Sequence, residues 1–114
     1  GIFTDPEIAH VGLTEAEARE QGYEVKTAAI NAGLLPRART SGKTFGFGKI
    51  VVDSDNNRVL GANLICYQAT EIIQELTVAM HAGITADEIA DTIHVYPTMS
   101  QAIQILAKRA YNRQ

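Results

Sequence analysis

Two β-forming runs, Phe45 to Val52 and Val59 to Cys66, flank the polar cluster Asp53-Ser54-Asp55-Asn56-Asn57-Arg58. No other feature narrows the possible folds as much. β-Branched and aromatic side chains favour extended backbone, whereas Asp, Asn and Ser adopt turns and tolerate positive φ. The stretch therefore predicts an antiparallel hairpin. A lone hairpin is marginally stable in water, so more strands or a helix must pack on it. Gly46, Gly48 and Gly61 interrupt both runs, which predicts a bulge or the close approach of another backbone. A phosphate-cradling glycine loop is set aside, because the spacing is wrong and no helix follows.

Local signals on either side supply the remaining elements. Thr14-Glu15-Ala16-Glu17 has the spacing of a capping box and Gly22 suits a helix end, predicting a short helix from about Glu15 to Gln21. From Tyr23 to Ile30 the alternation puts Tyr23, Val25, Thr27 and Ala29 on one side of a strand. Asn31 to Lys43, rich in Gly, Pro and Arg, reads as a loop or broken turn. Downstream, Ile72, Ile73, Leu76, Val78, Ala79 and Met80 spread around much of a helix from Ala69 to Ala82, which Gly83 ends. That is more apolar surface than covering a sheet requires, so Ile73, Leu76 and Met80 are candidate interface residues. Thr85 and Glu88 repeat the capping-box spacing ahead of a short helix to about Asp91. Thr98, after Pro97, can cap a last helix to about Tyr111 whose stripe is Met99, Ala102, Ile103, Leu106 and Ala110. An opening strand and helix, a hairpin sheet and then helices make an α+β domain, an antiparallel sheet with helices packed on one face.

At 114 residues and 46% hydrophobic content the chain suits a single domain over 1–114. Its net charge of −3 is mixed along the sequence, which points away from nucleic acid. Lys108, Arg109 and Arg113 suit the negative pole of a helix end. Cys66 is the only cysteine, which excludes an internal disulfide or dithiol pair and suits a small buried side chain. No apolar run reaches the length of a membrane span. A cytoplasmic protein with no membrane contact and no metal site is expected. The opening Gly1-Ile2-Phe3 has neither an initiator Met nor a leader, and is read as the start of an excised domain.

Phe3-Thr4-Asp5-Pro6-Glu7-Ile8-Ala9-His10-Val11-Gly12-Leu13-Thr14-Glu15 closely resembles the segment that opens the C-terminal dimerisation domain of the FAD-dependent pyridine nucleotide-disulfide oxidoreductases. That family includes dihydrolipoamide dehydrogenase, glutathione reductase and mercuric reductase. The resemblance continues through Arg37-Ala38, Gly46 to Ile50, Leu60-Gly61-Ala62, Ala69 to Leu76, Ile84 to Ile89 and Pro97-Thr98-Met99-Ser100. It implies the interface domain of the FAD/NAD-linked reductases, acting as a homodimer. FAD and NAD(P)H would bind to upstream domains of the full-length parent. This chain alone, lacking a G-x-G-x-x-G motif and a Cys pair, is expected to bind neither.

In the family a loop of this domain enters the partner subunit's active site, where a His-Pro step and a following Glu serve the partner's thiols. By resemblance Tyr96 falls on the base, Gln101 on its orienting carboxylate, and Tyr96-Pro97 against the partner's FAD. His94 lies two residues too early to be the base and reads as a loop His bonded to backbone. A Tyr has a reference pKa near 10 and a Gln carries no charge, so dithiol–disulfide exchange of the usual kind is not expected. Mercuric reductases resemble this chain in using a Tyr in the loop, although they usually end in a vicinal Cys pair where this chain has Arg113-Gln114. Three readings stay open: a mercuric-reductase-like enzyme, a dihydrolipoamide dehydrogenase-like enzyme with an altered base, and a non-catalytic self-association module. Tyr96 is either a hydrogen-bond donor and soft-metal contact or a packing residue of the flavin pocket.

Overall fold

The hairpin forms the middle of the sheet. β3 (Phe47–Asp53) pairs antiparallel with β4 (Val59–Cys66), in a computed structural model that describes residues 1–112. Turn chemistry closes it as the polar cluster predicts: Asp53 Oδ1 accepts from Asp55 N, Asn56 Oδ1 accepts from Arg58 N, and Asn57 takes φ 61°. β1 (Glu7–Gly12) adds to β4 and β2 (Val25–Asn31) adds to β3, giving the all-antiparallel order β1-β4-β3-β2.

The glycines have the two uses expected. The register slips between Val51 and Val52, a bulge opposite Leu60 and Gly61. At Gly61 another backbone approaches so closely that a Cβ would stand 2.0 Å from the Leu13 carbonyl oxygen. Gly46, at φ +141°, is likewise pressed on β4: a Cβ there would meet the Ile65 carbonyl oxygen at 2.1 Å.

α1 (Glu15–Glu20) and α2 (Pro36–Ser41) precede the hairpin; α3 (Ala69–Ala82), α4 (Ala86–Asp91) and α5 (Gln101–Tyr111) follow it. The core lies between the sheet and the later helices. Ala28, Ile30, Ile50, Val52, Ala62 and Leu64 from the strands join Ile72, Leu76 and Ala79 of α3 and Ile103, Leu106 and Ala110 of α5 in one buried cluster. Burial of each large member contributes about 2 kcal/mol. Val51 and Ala18 are buried outside that cluster. They lie on the opposite face at α1, where Glu15 also pairs with Lys49 at 2.6 Å. Most helical surface therefore covers one face as expected, while α1 covers part of the other.

Three sequence expectations are corrected. Asn31 to Lys43 holds a 3-10 turn over Ala32–Leu34 and then α2, rather than a loop. Pro36 at the first turn and Gly42 in the left-handed C-cap are ordinary helix punctuation, and the helix is held by burial of Leu35 and Ala38. The strand expected from Tyr23 to Ile30 begins at Val25, so Tyr23 precedes it; Val25, Thr27 and Ala29 share one face as expected, and the inward residues are Ala28 and Ile30 on the other. Thr98 does not cap α5 with its side chain; its hydroxyl donates to the Val95 carbonyl, and α5 starts at Gln101 after Ser100. Arg109 donates to the Ala29 carbonyl at 2.7 Å and so ties α5 to β2. Arg113, expected at the same helix end, lies outside the described residues.

α3 has no cap of its own, because Gln68 at its N-cap makes no side-chain bond. Glu7 of β1 supplies one: its Oε1 accepts from the Thr70 hydroxyl at 2.6 Å and the Thr70 amide at 3.0 Å. These bonds stabilise the carboxylate and hold the Glu7 carboxyl below its usual range. Glu7→Ala is expected to cost about 1 kcal/mol of stability at neutral pH, the usual worth of a helix cap. A depressed folded-state pKa adds stability that is fully present above the unfolded value and lost as pH falls through the folded one. The gap between wild type and variant in urea denaturation should thus close as pH drops below about 4; a gap that persists unchanged at low pH would exclude the charged cap.

Candidate functional site

α4 and α5 are joined by a segment without helical structure that stands out from the domain. Its roots are secured. Thr92 Oγ1 donates to the Glu88 carbonyl, Gln104 Nε2 donates to the carbonyls of Ala90 and Thr92, and Met99 is buried. Between the roots the chain is open: Ile93 is 95% exposed, Val95 73% and Tyr96 69%. Three large apolar side chains in water over four residues are costly in an isolated domain and mark a contact surface.

Tyr96 is joined to Pro97 by a cis peptide bond. No hydrogen bond links the Tyr96 hydroxyl to Gln101 among the described residues. Gln101 instead turns back, its Oε1 accepting from the Thr98 amide at 3.2 Å. The site thus presents a phenol that can donate outward, with a neutral amide fixing the turn behind it and no carboxylate at the expected orienting position.

The carboxylate of this region comes from elsewhere. Glu75 Oε2 on α3 meets His94 Nε2 at 2.6 Å, and the other ring nitrogen, Nδ1, lies 2.9 Å from the Thr92 carbonyl. The backbone contact agrees with the reading of His94 as a loop histidine. The pairing of His94 with Glu75 was not legible, since no spacing rule joins residues 19 apart on different elements.

Among the interface candidates, Leu76 is corrected. It is fully buried in the core between sheet and helices and offers nothing to a partner. Ile73 and Met80 are partly buried against that core. The open large apolar residue of α3 is Val78, 56% exposed. It lines a groove of about 360 Å³ with Gln74, Glu75, Ala79, Ile84 and Ile89, ending at Thr92 where the exposed segment begins.

A second apolar surface had no sequence signal. Phe47, Ile65 and Ile8 are cross-strand neighbours, and Ile2 bridges to Ile8. They form a row on the face turned away from α3 and α5, beside the exposed Phe3 and Phe45. Cys66 is buried; burial, and then the negative charge of Glu7, push its thiol up to about 11, which suppresses the thiolate needed for redox chemistry. Among the described residues no group of His, Cys, Asp and Glu is arranged to hold a metal ion. Among the described residues no helix is long and apolar enough to cross a membrane.

Residues 1–107 match the family described as pyridine nucleotide-disulphide oxidoreductase, dimerisation domain. Dihydrolipoyl dehydrogenase of Haloferax volcanii is 38% identical over 109 residues, covering 96% of this chain and 23% of that protein. Mercuric reductase of Bacillus cereus is 39% identical over 103 residues, 90% of this chain and 16% of that protein. Among solved structures, the HOCl-induced flavoprotein disulfide reductase RclA from Escherichia coli superposes with a TM-score of 0.89 at 34% identity, over 93% of this chain and 24% of its own. The chain therefore spans a quarter or less of these relatives' length.

Proposed function

We propose, from the premise that this chain belongs to the family of pyridine nucleotide-disulphide oxidoreductase dimerisation domains, that it joins two copies of a FAD- and NAD(P)H-dependent oxidoreductase and presents Tyr96-Pro97 to the partner subunit's flavin. The observation that carries this reading is the open segment, whose apolar residues Ile93, Val95 and Tyr96 are left in water. FAD, bound by other domains of the parent, would carry electrons from the nicotinamide nucleotide to the acceptor. This chain would contribute the edge of that pocket, with Tyr96 and Pro97 against the flavin.

Within such a pocket Tyr96 donates a hydrogen bond or contacts a soft metal ion. It does not take the family's base role, because a phenol offers no imidazole nitrogen and no carboxylate stands behind it. Gln101, occupied with the Thr98 amide, keeps the turn in shape. This favours reduction of a metal ion or a quinone over dithiol–disulfide exchange, and agrees with relatives named mercuric reductase. A disulfide-reducing parent remains the competing reading, supported by relatives named dihydrolipoyl dehydrogenase.

The test is to purify the parent flavoprotein and follow nicotinamide oxidation with mercuric ion, a quinone and a disulfide in turn. Tyr96→Phe is expected to lower metal-ion turnover about tenfold, the kinetic equivalent of one hydrogen bond, and to spare slow oxidation of the flavin by oxygen. Gln101→Glu alone should not create disulfide reductase activity. Wild-type disulfide reduction at about 10 per second or faster would overturn the assignment, and unchanged rates with every acceptor would make Tyr96 a packing residue.

A further inference from the structure

We propose that His94 and Glu75 form a positioning pair that tethers the exposed segment to α3 and thereby aims Tyr96. The tether deepens the reading of Tyr96 as the group presented to the partner, and rests on that reading for its purpose.

His94 behaves unlike its neighbours. Its side chain is 5% exposed, within a run whose other large side chains project into water. One ring nitrogen closes a local turn on the Thr92 carbonyl, and the other crosses to Glu75 at the middle of α3. Among the described residues, Ile93, Val95, Tyr96 and Pro97 make no side-chain or backbone hydrogen bond to any element outside the segment; Val95 only accepts from nearby Thr98. The His94–Glu75 bond is thus the one polar link between the tip of the segment and the rest of the domain. Both partners of the ring are acceptors, a carbonyl and a carboxylate oxygen. With its proton on Nε2 the ring donates to the carboxylate, and a hydrogen bond to an ionised acceptor is stronger than one between neutral groups.

The location of Glu75 gives the tether a further property. Glu75 lines the apolar groove that includes Val78, so a second copy seated on α3 would exclude water from the pair and strengthen it. The surface that joins two copies and the segment that serves the partner's site are then linked by one bond. Tyr96 follows His94 by two residues, so fixing the ring restricts the phenol before any partner arrives. Ordering a loop in advance removes part of the entropic cost of binding.

The experiment uses this chain, without flavin, at a concentration where light scattering gives the monomer, so it reads the tether independently of whether the parent is the proposed reductase. Amide order parameters of Ile93, Val95 and Tyr96 are measured in wild type, Glu75→Ala, His94→Ala and Glu75→Gln. Wild type is expected near the rigid value of about 0.85, and both alanine variants below about 0.6, with the core strands unchanged. Glu75→Gln, which keeps an acceptor oxygen, should restore most of the order. Wild-type values already below about 0.6, or loss of order in only one of the two alanine variants, would overturn the tether. Should a variant fail to fold, wild-type His94 decides: an Nε2 proton held against exchange with water in a long-range nitrogen–proton spectrum supports the pair, and an Nε2 that carries no proton, or one that exchanges as in a free imidazole, overturns it.

Discussion

Alanine in place of Gly61 is expected to destabilise the domain by about 3 kcal/mol, the upper range for forcing extra volume into a packed site. The new methyl carbon would stand 2.0 Å from the Leu13 carbonyl oxygen and 2.7 Å from the Leu13 nitrogen. Neither atom can retreat cheaply. The Leu13 amide donates to the Leu60 carbonyl at 2.9 Å, and Thr14 beside it is locked in a capping box with Glu17 at the start of α1. Relief would require separating β1 from β4 or unseating α1. At 4–8 °C per kcal/mol for a domain of this size, the melting temperature should fall by roughly 15 °C. Gly22→Ala is the control: nothing lies within 4 Å of a Cβ there, and only its φ of +92° opposes the change, so about 1 kcal/mol is expected. Equal melting temperatures for wild type and Gly61→Ala would refute the account of the close approach.

Aspartate at Val78 is expected to weaken self-association about 100-fold or more, since a charge desolvated in an interface without a partner costs several kcal/mol. Val78 and the groove beside it are the open apolar part of α3, and the chain belongs to a family of dimerisation domains. Ile93→Asp, next to the end of the groove at Thr92, should have a similar effect. Leu76→Asp should behave differently and unfold the domain, because that side chain is enclosed between sheet and helices. Sedimentation over a wide concentration range, with circular dichroism to confirm folding, separates the two outcomes. The row Phe47, Ile65, Ile8 and Ile2 is the competing surface: dissociation by Phe47→Asp with none by Val78→Asp would move the dimer contact to the outer sheet.

What could be read in the sequence was local. The hairpin turn, the extent of α3 and the capping box of α1 depend on residues within a few positions of each other, and each is present. α2 was missed although Pro36 and Gly42 punctuate it, because six residues without a clear apolar stripe carry no periodic signal. Leu76 was misplaced for a different reason. A helix with apolar residues on several sides does not reveal which of them the sheet and α5 will enclose, and only the tertiary packing leaves Val78 open. The contacts of Glu7 with Thr70, His94 with Glu75 and Arg109 with Ala29 span 63, 19 and 80 positions. No pattern in a single sequence points to them.

The carboxylate that β1 lends to the first turn of α3 makes an edge strand and a helix start mutually dependent. Among the described residues β1 has one neighbouring strand, β4, and on its other side a single bridge from Ile2 to Ile8, and edge strands are where sheets begin to open. When this edge peels away, the Thr70 amide and hydroxyl lose their acceptor at the same moment. Fraying at one margin of the sheet and unwinding at the head of the helix that carries Val78 and Glu75 are therefore a single cooperative event.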